Sequence, residues 1–532
     1  MNDRQEGLLL AALKRERLGR RAFMQRASLL GVGAIAAANL WTGSARAAEP
    51  KKGGHFRVGI AAGSTTDSLD PAVYDDSFDL GFGWSMANNL SVLNKYGELE
   101  PELAEGWEAS ADAATWTIKL RKGIEFHNGK TMTADDVIAS INHHRGPDSK
   151  SGAAGILKSI TDVKKDDDHT VVFNLSSGSA DFPFLVSDYH LIIMPEKDGK
   201  MNWEDGVGTG PMVMQNFEPG IRAEMTRNPN YWKEGQGFFD EYTILALLDP
   251  SARVNALQTG EVDAIDRVDV KVVDRLARVD GVNILENTGY LHYTFPMRTD
   301  TAPFDDNNVR MALKYSIDRE ELMRKILRGH GTLGNDSPIG PNDPFFDAKL
   351  EQRTYDPEKA KWHLKQAGLS NLKVNLAAAD AAYVGAVDAS VLYAEQAKKA
   401  GIEINVERVS SDGYWSSVWM NKPWCACYWG GRPTSDWMFS TAYAADAAWN
   451  DTFWKNERFN ELLIKARAEL DQDLRREMYA EMQAIVRDDG GALVWAFANN
   501  VMGISDRVQH DEAVAGNYPL DGWRASERWW LA

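Results

Sequence analysis

The stretch 208–220, GTGPMVMQNFEPG, continues as 221–232, IRAEMTRNPNYW, and after a short gap as 238–266, FFDEYTILALLDPSARVNALQTGEVDAID. Gly208, Gly210 and Pro211 predict a rigid bend. Residues 212–217 read as a short strand and Glu218-Pro219-Gly220 as a turn. Residues 221–226 alternate apolar and polar, the period of a half-buried strand. Asn228-Pro229-Asn230 turns again, and Tyr231 and Trp232 are suited to plugging a core. Residues 242–248 form the next expected strand. Ser251 is read as the cap of a helix that carries Val254 and Leu257 and ends at Gly260. Val262 and Ile265 suggest one more short strand. The stretch is α/β scaffold, without a nucleophile–base pair or a metal-ligand cluster.

Outward from this stretch, 532 residues predict two or three domains with substantial cores, and 44% hydrophobic content a globular chain. The formal charge is -18. Residues 1–47 hold eight Lys/Arg and three Asp/Glu, so the rest holds 51 and 74, a net charge of -23. An acidic body disfavours nonspecific phosphate binding, so no nucleic-acid partner is expected.

Residues 1–47 resemble an export signal. A basic region from Lys14 to Arg26 precedes the apolar run 27–40, which is short for a membrane span. Ala45-Arg46-Ala47 is a small-x-small end, so cleavage before Ala48 is expected. Gly19-Arg20-Arg21-Ala22-Phe23-Met24-Gln25 is similar to a twin-arginine signal, keeping the Arg pair and Phe23 but departing at Gly19, Met24 and Gln25. The only cysteines are Cys425 and Cys427. Their i,i+2 spacing makes a strained ring, so buried free thiols are expected and no metal site.

Residues 74–93 read as a helix with Phe78, Phe82, Met86 and Leu90 on one stripe. PELAEGWEAS (101–110) and ATWTIKLRKGIEFHNGKTMTADDVIASI (114–141) follow, with a strand through Trp116, Ile118 and Leu120 and a helix capped by Thr133. Asp166-Asp167-Asp168 reads as a solvated turn between two strands. His127 reads as packed, and His143 and His144 as a helix end. In VRMALKYSIDREELMRKILRGHG (309–331), Asp318 reads as a helix cap. A strand, loop, helix, strand order over 372–409 points to a second α/β lobe.

The order GTGP, turn, strand, NPNYW, strand, DPSAR…TGEVDA, with the 101–141 and 309–331 blocks, resembles the family 5 solute-binding proteins of ABC transporters, the dipeptide, oligopeptide and nickel group. The resemblance implies a type II periplasmic-binding-protein-like α/β fold, with two lobes joined by a two-segment hinge and a small extra domain inserted in lobe I. The implied boundaries are a signal peptide over 1–47, lobe I over 48–83, 208–295 and 499–532, the insertion over 84–207, and lobe II over 296–498. The crossovers are expected at 291–298 and 497–500.

The candidate cleft residues come from two sources. The resemblance points to Ser64 and Thr65 in the loop after the first strand, to Tyr383, and to Asn450. The sequence itself points to YWSSVWMNKPWCACYWGGRPTSDWMF (414–439), where Tyr414, Trp415, Trp424, Tyr428 and Trp429 suit an aromatic wall. Peptide-binding relatives carry an Asp after the W-x-G that holds the peptide amino terminus; here Arg432 stands there, and Asp436 follows four residues later. Arg432 suits a bidentate carboxylate, phosphate or sulfonate, or else an internal salt bridge. Asp436 either pairs with Arg432, caps a turn, or serves as the charged anchor.

The implied function is ligand capture without a chemical step: a periplasmic substrate-binding component of an ABC importer, taking a small peptide-like, amino-acid-derived or other zwitterionic or anionic solute. A membrane permease is the expected partner, with a monomer, no cofactor and no metal; the histidine-poor cleft disfavours nickel. The alternatives are an exported receptor for signalling and an exported hydrolase.

Overall fold

The computed structural model describes residues 50–532 except 147, 148, 150, 411–413 and 448. The export signal and its cleavage before Ala48 lie outside those residues. The stretch that opens the sequence reading forms one edge of a nine-stranded sheet. Met212–Glu218 pairs antiparallel with Arg222–Arg227, and that strand with Glu241–Ala246. His55–Ile60 lies parallel to Glu241–Ala246, with Phe56 opposite Tyr242 and Val58 opposite Ile244. Gly208 and Gly210 are required by close approach: a Cβ there would meet the Met86 carbonyl oxygen at 2.2 Å and the Ser85 carbonyl oxygen at 2.4 Å. The helix Pro250–Thr259 ends at Gly260 in the left-handed region (φ 74°). Its cap is Asp249, not Ser251: the carboxylate accepts from the Ala252 N–H at 2.7 Å. Pro250 lacks an N–H and suits the first helical position, which moves the cap one residue ahead of it.

The sheet continues through Ala264–Ile265 to two long strands, Ala492–Ser505 and Val282–Pro296, and ends at Cys427–Trp429, with Gly331–Leu333 pairing to one side. The long strands are the hinge. Their pairing runs from Val282 opposite Ser505 to Thr288 opposite Asn499, lapses, and resumes from His292 opposite Phe497 to Pro296 opposite Ala492. On one side of the lapse Met502 and Ile504 pack in the first lobe's core; on the other Leu493, Trp495 and Ala496 pack in the second lobe's core. The crossover expected at 291–298 is thus the second half of one strand, Val282–Pro296, interrupted where apolar alternation fails around Gly289.

The expected helix over 74–93 is shorter. It spans Ser77–Met86, capped by Asp76, and Ser91–Leu93 is already strand. All ten helix residues are buried, so the four-residue stripe is not the face of an amphipathic helix. The 83/84 boundary falls inside it, and Trp84 and Met86 belong to the first lobe's core. A separate core begins at Leu90, under a four-stranded sheet ordered Ala104–Ala109, Thr115–Leu120, Thr170–Leu175, Ile160–Asp167. The triple-Asp turn lies between the last two, with Asp167 accepting from the His169 N–H at 2.7 Å. His127 is packed against the glycine bend: its Nε2 lies 3.0 Å from the Gly210 carbonyl oxygen and its Nδ1 3.3 Å from the Gly208 N–H nitrogen. A buried charge cluster ties these parts together. Glu102 meets Lys233 at 2.7 Å and Arg524 at 3.1 Å, and Lys233 also meets Glu527 at 2.5 Å.

In the second lobe Leu372–Ala378 and Ile402–Arg408 pair in parallel, with the helix Ala386–Ala397 between them in sequence. Asp318 caps its helix by accepting from the Glu321 N–H at 2.9 Å. Arg310 pairs with Asp489 at 3.3 Å and Arg319 with Asp336 at 2.5 Å. Cys425 and Cys427 are free and buried, and burial pushes both thiols up. Across to the inserted region, Asp181 meets Arg475 at 2.7 Å and the Ala180 N–H donates to the Arg467 carbonyl at 2.7 Å. Among the described residues no helix is long and apolar enough to cross a membrane.

Candidate functional site

The tryptophan-rich segment divides into a buried part and a displayed part. Cys427–Trp429 pairs with the first hinge strand, setting Tyr428 opposite Tyr293. Tyr428 is 41% exposed and Trp415 40%, and their rings meet edge-on at 5.4 Å. Trp419 continues the cluster from Trp415 at 5.9 Å to Trp429 at 6.0 Å. The indole N–H groups of Trp419 and Trp429 both donate to Asp451 Oδ2 at 3.1 Å, and burial pushes the Asp451 carboxyl up to about 6. A ligand reaching this wall would meet Trp415 and Tyr428, with Trp429 buried behind them.

Three sequence candidates present almost no surface. Trp424 and Tyr414 lie in the second lobe's core, where Trp424 donates to the Phe295 carbonyl at 3.3 Å and the Tyr414 hydroxyl to the Ala426 carbonyl at 2.7 Å. Asn450 is buried and donates to the Ala444 and Trp454 carbonyls at 3.1 and 2.7 Å. The aromatic count does not separate wall from core, because one strand and its approach alternate sides at every residue. Tyr383 is also buried; it stacks on Tyr293 at 4.0 Å, and its hydroxyl accepts from the Trp495 N–H at 3.2 Å.

The charged candidates separate as clearly. Asp436 is paired with Arg467 at 3.1 Å, and although burial pushes its carboxyl up to about 6, it is taken within its own lobe. It does not pair with Arg432. Arg432 donates only to the carbonyls of Gly430 and Gly431, both at 3.2 Å, and makes no ion pair among the described residues. It lines one small pocket with Tyr290, His292 and Asp343. The residues that sequence reasoning missed are grouped here: Tyr290, His292 and Asp343 line one small pocket with Gly431 and Arg432. Asp343 lies in the loop 338–346, whose sequence carries no motif that singles it out.

In the first lobe, Ser64 is partly exposed and Thr65 exposed. The Ser64 hydroxyl lies 2.7 Å from that of Thr66. Beneath them Asp67, Asp76 and Asp79 bring their carboxylates within 4.8 Å of one another. These acids hold the loop through backbone N–H groups: Asp67 accepts from Ser64 and Gly220 at 2.8 and 3.1 Å, and Asp76 from Gly63 and Phe78 at 3.0 and 2.7 Å. Burial, with the neighbouring carboxylates, pushes Asp79 up to about 8.

Comparison with known proteins places this geometry. A family model for bacterial extracellular solute-binding proteins, family 5 Middle, matches residues 98–451. The chain is 26% identical over 439 residues to the glutathione-binding protein GsiB of Pectobacterium atrosepticum, covering 80% of this chain and 85% of that one. It is 29% identical over 465 residues to the dipeptide-binding protein of Escherichia coli, covering 77% and 83%. The structure of AgaA from A. tumefaciens R10 in complex with agropinic acid superposes with a TM-score of 0.74 at 23% identity, covering 90% of this chain and 99% of that one, which supports the bilobed fold. The chain belongs to family 5 of the bacterial extracellular solute-binding proteins, the non-catalytic substrate-binding components of ABC importers.

Proposed function

We propose that this protein is the periplasmic receptor of an ABC importer for a small solute bearing an anionic group, zwitterionic or amino-acid-derived, held between the lobes with that group on Arg432. The single observation that carries this is Arg432 itself: a guanidinium beside the hinge strands that meets backbone carbonyls and no carboxylate among the described residues. Trp415 and Tyr428 supply an apolar wall for the rest of the solute. Closure rotates the lobes about the paired hinge strands, and a solute that bridges both lobes stabilises the closed form. The named relatives, glutathione-binding and dipeptide-binding, fit small organic solutes of this kind.

The chain acts as a monomer that delivers to a membrane permease after export through its twin-arginine-like signal. Scattering of the purified mature chain, titrated with a panel of anionic and zwitterionic metabolites, tests the reading. One class should contract the particle and raise its melting temperature, and Arg432→Gln should remove both effects. A panel without response, or a response that Arg432→Gln leaves intact, overturns it.

A further inference from the structure

The inserted region and the second lobe have separate cores and meet at a buried ion pair. Phe182 and Val186 pack under the four-stranded sheet, while Ala466 and Tyr479 pack in a core that also holds Ala492 and Val494 of the hinge. Between these cores Arg475 Nη2 donates to Asp181 Oδ1 at 2.7 Å, and both residues are buried. Beside the pair, the Ala180 N–H donates to the Arg467 carbonyl at 2.7 Å. All four residues lie off the hinge strands Val282–Pro296 and Ala492–Ser505, so rotation about those strands changes both distances.

Each partner is arranged for the other. Arg475 is fixed within its own lobe: its Nε donates to the Ala466 carbonyl at 3.1 Å, and its guanidinium lies 4.9 Å from the centroid of the Phe345 ring. Asp181 is its only carboxylate partner among the described residues. Asp181 stands at the N-cap position of the short helix Phe182–Leu185 but makes no cap bond. Aspartate at that position ordinarily accepts from the first helical N–H groups. Here the carboxylate turns to an arginine 294 positions away, and its Oδ2 has no hydrogen-bond partner.

The energy of such a pair depends on how the two bodies stand. With the bodies apart, water solvates both charges. With them together, each charge is desolvated and its partner offsets that loss. The pair therefore contributes little net attraction, but it is selective for geometry. An arrangement that keeps either charge buried without the other is costly.

We propose that Asp181 and Arg475, with the Ala180–Arg467 hydrogen bond, form a clasp between the inserted region and the second lobe that sets how far the lobes stand open before any solute binds. The clasp is independent of the reading of Arg432 and of the solute's identity. It acts on binding through the conformational equilibrium, because apparent affinity follows the fraction of molecules in the binding-competent form.

The Ala180 amide reports the clasp directly, since its hydrogen bond is the one that crosses between the two bodies. The test is hydrogen exchange at single-amide resolution on the mature chain without solute. Asp181→Asn leaves the Arg475 guanidinium buried without a carboxylate and should speed exchange at Ala180 about tenfold or more. Amides of the strand Thr170–Leu175 should keep their wild-type rates, which a role of Asp181 confined to the stability of the inserted region would not allow. Arg475→Gln should speed Ala180 in the same way. The double variant Asp181→Asn/Arg475→Gln should lie nearer the wild type than either single variant, because no buried charge is then left unpaired. Small-angle scattering should show both single variants expanded relative to the wild type. Unchanged exchange at Ala180 in Asp181→Asn, acceleration shared by the strand amides, additive effects in the double variant, or unchanged scattering in the single variants each overturns the clasp. No solute enters the experiment, so failure of the Arg432 reading would leave its outcome untouched.

Discussion

Two groups of charge, one in each lobe, are treated in opposite ways. In the first lobe Glu102, Lys233, Arg524 and Glu527 are buried or nearly so and satisfy one another. At the hinge Arg432, His292 and Asp343 line one small pocket, where Arg432 meets backbone carbonyls but no carboxylate among the described residues and His292 Nε2 has no partner. Leaving a buried polar group without a partner costs free energy, so the first arrangement is what stability favours, and the second carries that cost at His292 Nε2. Strength of charge does not separate them; completeness does.

Removing one member of the complete group has the largest expected effect. Glu102→Ala leaves Arg524 and Lys233 short of a buried partner and should lower unfolding stability by about 3–5 kcal/mol in urea titration. Arg432→Gln should change the same titration by about 1 kcal/mol or less, while reducing affinity for an anionic solute by about 10–100-fold. If both variants lose stability equally, the distinction between the groups fails.

Acid response sharpens the contrast. Burial alone would raise Glu527, but Lys233 and Arg524 outweigh it and hold the carboxyl below its usual range. That contribution is present above the unfolded carboxylate pKa of about 4 and is lost as pH falls below it. Asp451 is the opposite case, pushed up to about 6 by burial. Its contribution is complete below about 4 and is lost as pH rises through about 6. Asp451→Asn keeps an acceptor for Trp419 and Trp429, and should remove about 1–3 kcal/mol of the decline between pH 4 and 6 in a pH series of denaturant melts. An unchanged slope would place the titration elsewhere.

The smallest expected effect belongs to the loop over the three acids. Ser64→Ala should shift stability by about 0.5 kcal/mol or less, since among the described residues the hydroxyl meets only Thr66. A fall in solute affinity of more than about threefold would bring that loop into the binding surface.

The legible parts of the fold were those written in local chemistry. The strands flanking Glu218-Pro219-Gly220, the left-handed end at Gly260 and the cap at Asp318 follow from turn residues and short-range alternation. The cap at Asp249 was missed because Ser251 is also a capping type and Pro250 settles the choice. The full length of the hinge strands is not legible in sequence, because a register lapse interrupts their alternation. The candidate site was less legible. Trp424 and Trp415 come from one aromatic run, yet only Trp415 is displayed, and Asp436 had a closer cation in Arg467 than in Arg432.

By itself the sequence determined the family pattern, the α/β alternation, and the caps and bends, because each of these depends on residues near one another in the chain. Only the tertiary structure decided which tryptophans are exposed, which acid answers Arg467, and that His292, Asp343 and Arg432 line one pocket. Those residues are joined by strand pairing and loop packing over 140 positions of chain, from His292 to Arg432, and no local pattern encodes a contact made across that separation.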